Sequence, residues 1–141
     1  MHNVIARFID MYNLLSADNL SPLELVYHKD IQFIDPLHHV TGLSQLKSYF
    51  ANMYANVQTI HFDIKETFDI EGNGFVYWQM RFQHKRINGG KEVVVNGHSH
   101  LRFEDDKIIY HQDYFDAAAM LYRNIPLLKQ LIGFIDKRAA K

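Results

Sequence analysis

The sequence predicts an α+β domain in which N-terminal helices pack on a curved antiparallel sheet that encloses a pocket. Two observations carry this reading. Apolar residues recur at helical spacing through about the first 55 residues, and the period then switches to two for about sixty residues. A third observation is size: 141 residues, 48% of them hydrophobic, support one core burying roughly two thirds of the unfolded surface. No linker, internal repeat or low-complexity segment interrupts the pattern, so residues 1–141 read as a single domain.

Val4, Ile5, Phe8, Ile9, Tyr12 and Leu15 repeat at three and four residues, giving a first helix over about residues 2 to 15, ended by Ser16-Ala17-Asp18-Asn19. Ser21-Pro22-Leu23-Glu24 has the form of a capping box with proline at the first helical position, which predicts a short second helix from about 22 to 28. Its apolar residues are Leu23, Leu25, Val26 and Tyr27. Ile31 to Pro36 reads as a short strand, because Pro36 holds Asp35 extended and ends regular pairing. Asp35 then shares a face with Ile31 and Phe33. Val40-Thr41-Gly42 leads into a third helix, about 43 to 55, whose stripe of Leu43, Leu46, Tyr49, Phe50, Met53 and Tyr54 is suited to covering a sheet.

The first long strand, about 59 to 70, places Ile60, Phe62, Ile64, Phe68 and Ile70 on one face, with Glu71-Gly72-Asn73-Gly74 as the turn. The second, about 75 to 87, has Val76, Trp78, Met80 and Phe82 on one face and Gln79, Arg81 and Gln83 on the other, and Asn88-Gly89-Gly90 closes it. The third, about 91 to 103, sends Val93, Val95, Gly97, Ser99, Leu101 and Phe103 one way and Val94, Asn96, His98, His100 and Arg102 the other. After Glu104-Asp105-Asp106 the last strand puts Ile109, His111, Asp113 and Phe115 on one face, opposite Ile108, Tyr110, Gln112 and Tyr114. Asp116 is a helix N-cap, and Pro126 restarts a final helix through about Lys137 with Leu127, Leu128, Leu131, Ile132 and Ile135 on its apolar face.

Several function classes are disfavoured by composition. Fifteen basic and 16 acidic residues are interspersed, leaving no electrostatic footprint for nucleic acid or an anionic membrane. The absence of cysteine excludes disulfides and thiolate chemistry and is compatible with a cytoplasmic location. No apolar run reaches the roughly 18 residues of a membrane span, and no signal peptide is evident. Nucleophile elbow, phosphate-binding glycine loop, H-E-x-x-H and dinucleotide fingerprint are all missing. Proton transfer without a cofactor is the chemistry that remains.

The last strand carries the strongest catalytic candidates. An imidazole and a carboxylate, His111 and Asp113, stand on an otherwise apolar face, and a carboxylate deprived of water there is suited to proton transfer near neutral pH. A carboxylate held by buried hydrogen bonds at a strand end is the structural alternative. Trp78, Met80, Phe82, Leu101, Phe103 and Phe115 line the same inner face with Ser99, in the manner of a site for a small hydrophobic molecule, although aromatic stripes also serve as plain core. His98 and His100 share one strand face about 7 Å apart, but only Asn96 and Arg102 neighbour them, so no metal site is expected. That outer face, rich in Tyr, His and Arg, reads as a homodimer interface.

These features resemble the NTF2-like superfamily and, within it, the SnoaL-like polyketide cyclase and ketosteroid isomerase group. The resemblance spans nearly the whole chain. It rests on the opening helix from Val4 to Asn13, Phe33-Ile34-Asp35-Pro36 before Gly42-Leu43 and Tyr49-Phe50, then Leu101-Arg102-Phe103, Lys107-Ile108-Ile109 and the run from His111 to Asp116. It implies a cystatin-like cone, a curved sheet wrapped around a pocket and closed by helices, on which many activities occur. In ketosteroid isomerases the aspartate before the proline, here Asp35, is the general base, while a tyrosine and a protonated aspartic acid form the oxyanion hole. This chain has Phe8 and Ser99 at those two positions, which removes the paired donors a dienolate needs. In SnoaL-like cyclases the acid/base aspartate lies on the last strand with a histidine two residues before it, matching Asp113 and His111. The resulting expectation is a cofactor-independent isomerase or cyclase-type lyase using Asp113, with His111 orienting the substrate or stabilising charge, and Asp35 and Ser99 as further polar contacts. The alternative is a non-catalytic dimeric module that binds a hydrophobic metabolite or a partner protein.

Overall fold

A computed structural model describes residues 3–125 and 127–140. They form helix α1 (Asn3–Leu14), a single turn α2 (Leu23–Val26), strands β1 (Tyr27–Ile34) and β2 (His39–Thr41), and helix α3 (Leu43–Tyr54). Four long strands follow, β3 (Val57–Ile70), β4 (Asn73–His84), β5 (Val93–Glu104) and β6 (Lys107–Phe115), then α4 (Ala117–Met120) and α5 (Leu128–Ala139). The strands make one curved, unclosed sheet in the order β2-β1-β6-β5-β4-β3. From β3 to β6 it is the expected antiparallel meander. β1, however, joins β6 in parallel, so the sheet is mixed. The long connection through α3 and the meander is the kind of crossover a parallel pair requires.

Helix α1 forms for the reason its spacing predicts, with Val4, Ile5, Phe8 and Met11 as the buried stripe. The second helix is shorter than expected. Ser21 does not cap it, since its Oγ donates to Asn19 Oδ1 at 3.0 Å, and Tyr27 already has extended backbone. Tyr27 is therefore the first residue of β1, fully buried, and its phenol reaches β6.

Two β-bulges overrule simple alternation. On β3 the pairing passes from Ile64–Trp78 to Glu66–Tyr77, making Lys65 the extra residue and reversing the faces beyond it. Phe68 and Ile70 consequently turn outward, 46% and 56% exposed, instead of continuing the face of Ile60, Phe62 and Ile64. At the start of β6 the register passes from Phe103–Ile108 to Arg102–Tyr110. Ile109 is the extra residue there, and Ile108, not Ile109, is fully buried. Beyond the bulge His111 takes the inner face as its parity predicts.

Elsewhere parity holds. Val76, Trp78 and Phe82 of β4 and Val93, Val95, Ser99 and Leu101 of β5 are buried. Gly97 stands among them because Trp78 lies across it: a Cβ there would be 2.5 Å from Trp78 Cη2 and 2.7 Å from the Tyr114 carbonyl oxygen. Glu71-Gly72 and Asp105-Asp106 both have positive φ at their two central positions, the turn geometry that follows strand twist in tight hairpins.

Helices α1 and α3 cover the inner face, joining Phe8, Leu46 and Phe50 with Val76, Trp78, Leu101 and Ile108 in one core. Phe82, Val93 and Val95 form a satellite at the β4–β5 hairpin. Asp116 caps α4 as expected, accepting from the Ala118 and Ala119 N–H groups. The expected helix restart at Pro126 lies outside the described residues. Leu127, just before α5, and Leu131, Phe134 and Ile135 on it are more than half exposed. Among the described residues no helix is long and apolar enough to cross a membrane.

Candidate functional site

Between the helices and the inner face of the sheet lies a cavity of about 290 Å³, at the small end of the roughly 300–1,000 Å³ range of ligand pockets. Its walls are aromatic: Phe33 from β1, Tyr49 from α3, Phe62 from β3, Trp78 from β4 and Phe115 from β6 all line it. The expected lining residues Phe8, Met80, Phe82 and Ser99 do so too, as do Asp35 and Asp113. Leu101 is fully buried core instead, and His111 is fully buried behind the cavity wall.

The sheet register builds the polar end of the cavity. Ser99 on β5 stands directly opposite Asp113 on β6, and its Oγ donates to Asp113 Oδ1 at 2.6 Å. The Trp78 Nε1–H donates to Ser99 Oγ at 3.0 Å, which fixes the hydroxyl's direction. His111 Nε2 lies 2.6 Å from the same Asp113 Oδ1. An i,i+2 pair on a flat strand lies about 7 Å apart, so this contact is made by both side chains leaning together. Both donors fall on Oδ1, leaving Oδ2 of a side chain that is 15% exposed for an occupant of the cavity.

Behind Asp113 the network runs into the core. The His111 ring meets Phe8 and Phe33 edge to face, and its Nδ1 is 2.7 Å from the Tyr27 hydroxyl. Tyr27 in turn is 3.5 Å from the Tyr12 hydroxyl. Burial pushes both phenols well above the ordinary tyrosine range, and the charge of Asp113 adds to the shift, so both stay protonated.

Asp35 sits at another part of the wall with its oxygens occupied. Oδ1 accepts from the backbone N–H groups of Leu37 at 2.8 Å and His38 at 2.7 Å. Oδ2 accepts from the Tyr49 hydroxyl at 2.7 Å, and the His38 ring lies 3.1 Å from Oδ1. Burial first, and then the bond to Asp35, raise the Tyr49 phenol far above its usual range. The Asp-Pro turn and Tyr49 thus surround the carboxylate with donors, stapling β1 to α3.

Tyr12, Tyr27, Tyr49 and His38 were not among the residues predicted to form the site. Tyr12 and Tyr49 were assigned to apolar helix stripes and Tyr27 to a helix end. A signal was available for Tyr27, because the alternation Ile31, Phe33 continues backward to it at even spacing. On the outer face His98 stacks between Tyr77 and Tyr114, at 4.8 and 4.9 Å between centroids. His100 stacks on Phe75 and donates from Nε2 to Asn73 Oδ1 at 2.9 Å. Neither ring is turned toward a shared centre. Among the described residues His28, Glu104 and Asp105 do bring ligating atoms together, at the surface and away from the cavity.

Helices laid on a curved mixed sheet around an aromatic pocket define an NTF2-like protein. Solved structures share this fold. An NTF2-like protein of unknown function from Burkholderia pseudomallei is 16% identical, with 89% of this chain and 99% of that one covered and a TM-score of 0.77. A candidate SnoaL-like polyketide cyclase from Jannaschia sp. CCS1 is 12% identical over 88% and 92%, with a TM-score of 0.74. A protein of ketosteroid isomerase-like fold from Catenulispora acidiphila, in complex with trimethylamine, is 15% identical over 86% and 92%, with a TM-score of 0.73. At these identities the likeness is one of fold. No curated protein matches the chain in sequence. Within the class the chain belongs to the SnoaL-like domain family, whose model matches residues 5–111.

Proposed function

We propose that the protein binds a small, largely apolar organic molecule in this cavity and that Asp113 moves a proton on it, as a cofactor-independent isomerase or cyclase-type lyase. The supporting observation is the asymmetry of the Asp113 carboxylate. One oxygen is anchored by Ser99 and His111, while no hydrogen bond from the described residues falls on the other, and the side chain lines a largely apolar cavity. A fixed carboxylate with one free oxygen is a general base when ionised and a general acid once protonated. It takes a proton from a ligand C–H or O–H onto Oδ2 and returns it elsewhere on the same molecule, while Oδ1 keeps its two hydrogen bonds. His111 is a positioning residue in this scheme, because a fully buried ring touches the ligand only through Asp113. Asp35 lines the cavity, but its filled acceptor sites suit it to shaping the wall.

The test is hydrogen–deuterium exchange at carbon. 2-Tetralone is an aromatic ketone with acidic C–H groups, and proton NMR in D₂O follows their exchange. The wild-type protein should accelerate it, and Asp113→Asn should remove the acceleration by roughly 10²- to 10⁴-fold while still binding the ketone. A bound ketone exchanging no faster than in buffer would sink the catalytic reading. It would leave the second reading, a non-catalytic dimeric module for a ligand or partner. The observation that favours that one is the stacked Tyr77, His98 and Tyr114 on the outer face of the sheet.

A further inference from the structure

We infer that the cavity selects neutral or cationic ligands and rejects anions, because it ends in a carboxylate that no cation balances. The inference rests on the ligand-binding reading above and names the chemical class of the ligand.

The first part of the argument is the lining. Two carboxylates, Asp35 and Asp113, and two imidazoles, His38 and His84, face the cavity, and no lysine or arginine is among the described residues that line it. Asp35 is internally satisfied by two backbone N–H groups, the Tyr49 hydroxyl and the His38 ring. The half-exposed His38 ring is turned to Asp35 and the Tyr49 hydroxyl. His84 is held below the ordinary histidine range by burial and by Arg86, so it is neutral at pH 7. Any balance for Asp113 must therefore come from His111.

The tyrosine chain decides the state of His111. The Tyr27 phenol has one proton to donate and two oxygen or nitrogen neighbours, His111 Nδ1 at 2.7 Å and the Tyr12 hydroxyl at 3.5 Å. We assign the proton to the short contact, because 3.5 Å lies outside the usual O–H···O range of about 2.5–3.0 Å. Tyr12 then donates to Tyr27, the one hydrogen-bond partner its hydroxyl has among the described residues. With Nδ1 accepting, His111 carries its single proton on Nε2, where it donates to Asp113. In this arrangement of hydrogen bonds Asp113 has no cationic partner.

A buried carboxylate next to a second anion is costly, since neither recovers its lost hydration. A ligand hydroxyl or ammonium gives Oδ2 the donor it lacks, and a cation gains further from the faces of Tyr49, Trp78 and Phe115.

Isothermal titration calorimetry at pH 7 with three ligands of one shape decides the matter: 2-naphthylmethylamine, 2-naphthylmethanol and 2-naphthoate. The amine and alcohol should bind, and the carboxylate should bind at least about tenfold more weakly than the amine. Asp113→Asn should abolish most of that preference. Equal or tighter binding of 2-naphthoate overturns the inference, and so does an unchanged preference in folded Asp113→Asn. No binding by any of the three removes the ligand-site reading itself, a different failure from a reversed preference. Should Asp113→Asn not fold, nitrogen-15 spectra of the wild-type histidines stand in for it. His111 should show a protonated Nε2 and a bare Nδ1, and a doubly protonated ring overturns the charge assignment.

Discussion

Gly97→Ala tests the coupling between sheet packing and the site. The added Cβ would lie 2.5 and 2.9 Å from Trp78 Cη2 and Cζ2 and 2.7 Å from the Tyr114 carbonyl oxygen. The carbonyl is part of the β5–β6 ladder and cannot retreat without breaking pairing. The indole is buried and pinned through Nε1 to Ser99, so it cannot swing aside without losing that bond. Overpacking costs about 1–3 kcal/mol, and loss of the Trp78–Ser99 bond adds roughly 0.5–1.5 kcal/mol. Replacing glycine inside a strand returns about 0.5 kcal/mol through the unfolded chain. The net destabilisation should be about 1–4 kcal/mol, which lowers a urea midpoint by roughly 0.5–2 M at a slope near 2 kcal/mol per M. Trp78 is the sole tryptophan, so its emission follows unfolding and also reports the displaced ring in the native state. A midpoint within experimental error of wild type, with native emission unchanged, would refute the close β4–β5–β6 packing and with it the fixed direction of the Ser99 hydroxyl.

Further expectations concern the core and the outer face. Tyr54 is 4% exposed and its hydroxyl has no hydrogen-bond partner among the described residues, so Tyr54→Phe should keep stability or raise it by up to about 1 kcal/mol; a loss larger than that in urea unfolding would mean the hydroxyl is bonded. Burial also pushes the Tyr54 phenol up to about 12 from its ordinary 10. Its neutral form is favoured by folding, so this contribution is complete below pH 10 and disappears as pH rises to about 12. Wild-type stability should accordingly fall between about pH 10 and pH 12, less steeply in Tyr54→Phe, and a flat profile would contradict the burial argument. Light scattering should find a homodimer joined through the outer sheet face, weakened by Arg81→Glu with His100→Glu; a clean monomer at micromolar concentration would reject that interface.

Much of the inner face was legible because β4 and β5 keep strict alternation. Val76 and Trp78 on one strand and Ser99 and Leu101 on the other are all buried, so parity alone could bring Ser99 and Asp113 toward one cavity. What escaped was what parity cannot encode. A bulge leaves no mark in a hydrophobic pattern, and Lys65 and Ile109 look like ordinary strand residues until the register is known. Phe68 and Ile108 were given the wrong face for that reason. Tyr27 was hidden by a capping-box pattern that the chain does not use, since Ser21 bonds to Asn19 instead. Leu101 follows parity correctly yet lies beneath the core, because facing inward does not distinguish a cavity wall from packed interior.

Tyr27 and His111 are 84 positions apart, and the strands that hold them are the one parallel pair among the described strands. The meander from β3 to β6 closes through short hairpin loops, each cheap in chain entropy, whereas β1 meets β6 only by closing a loop around most of the domain. Pairings of such long range form late and slow the folding of the chains that depend on them. During synthesis β1 leaves the ribosome well before β6, with the edge that will face β6 still unpaired and open to wrong partners. Tyr27 therefore meets His111 only when this long-range pairing has formed, and the proposed selection of ligands by charge should be absent from any intermediate in which β1 has not yet joined β6.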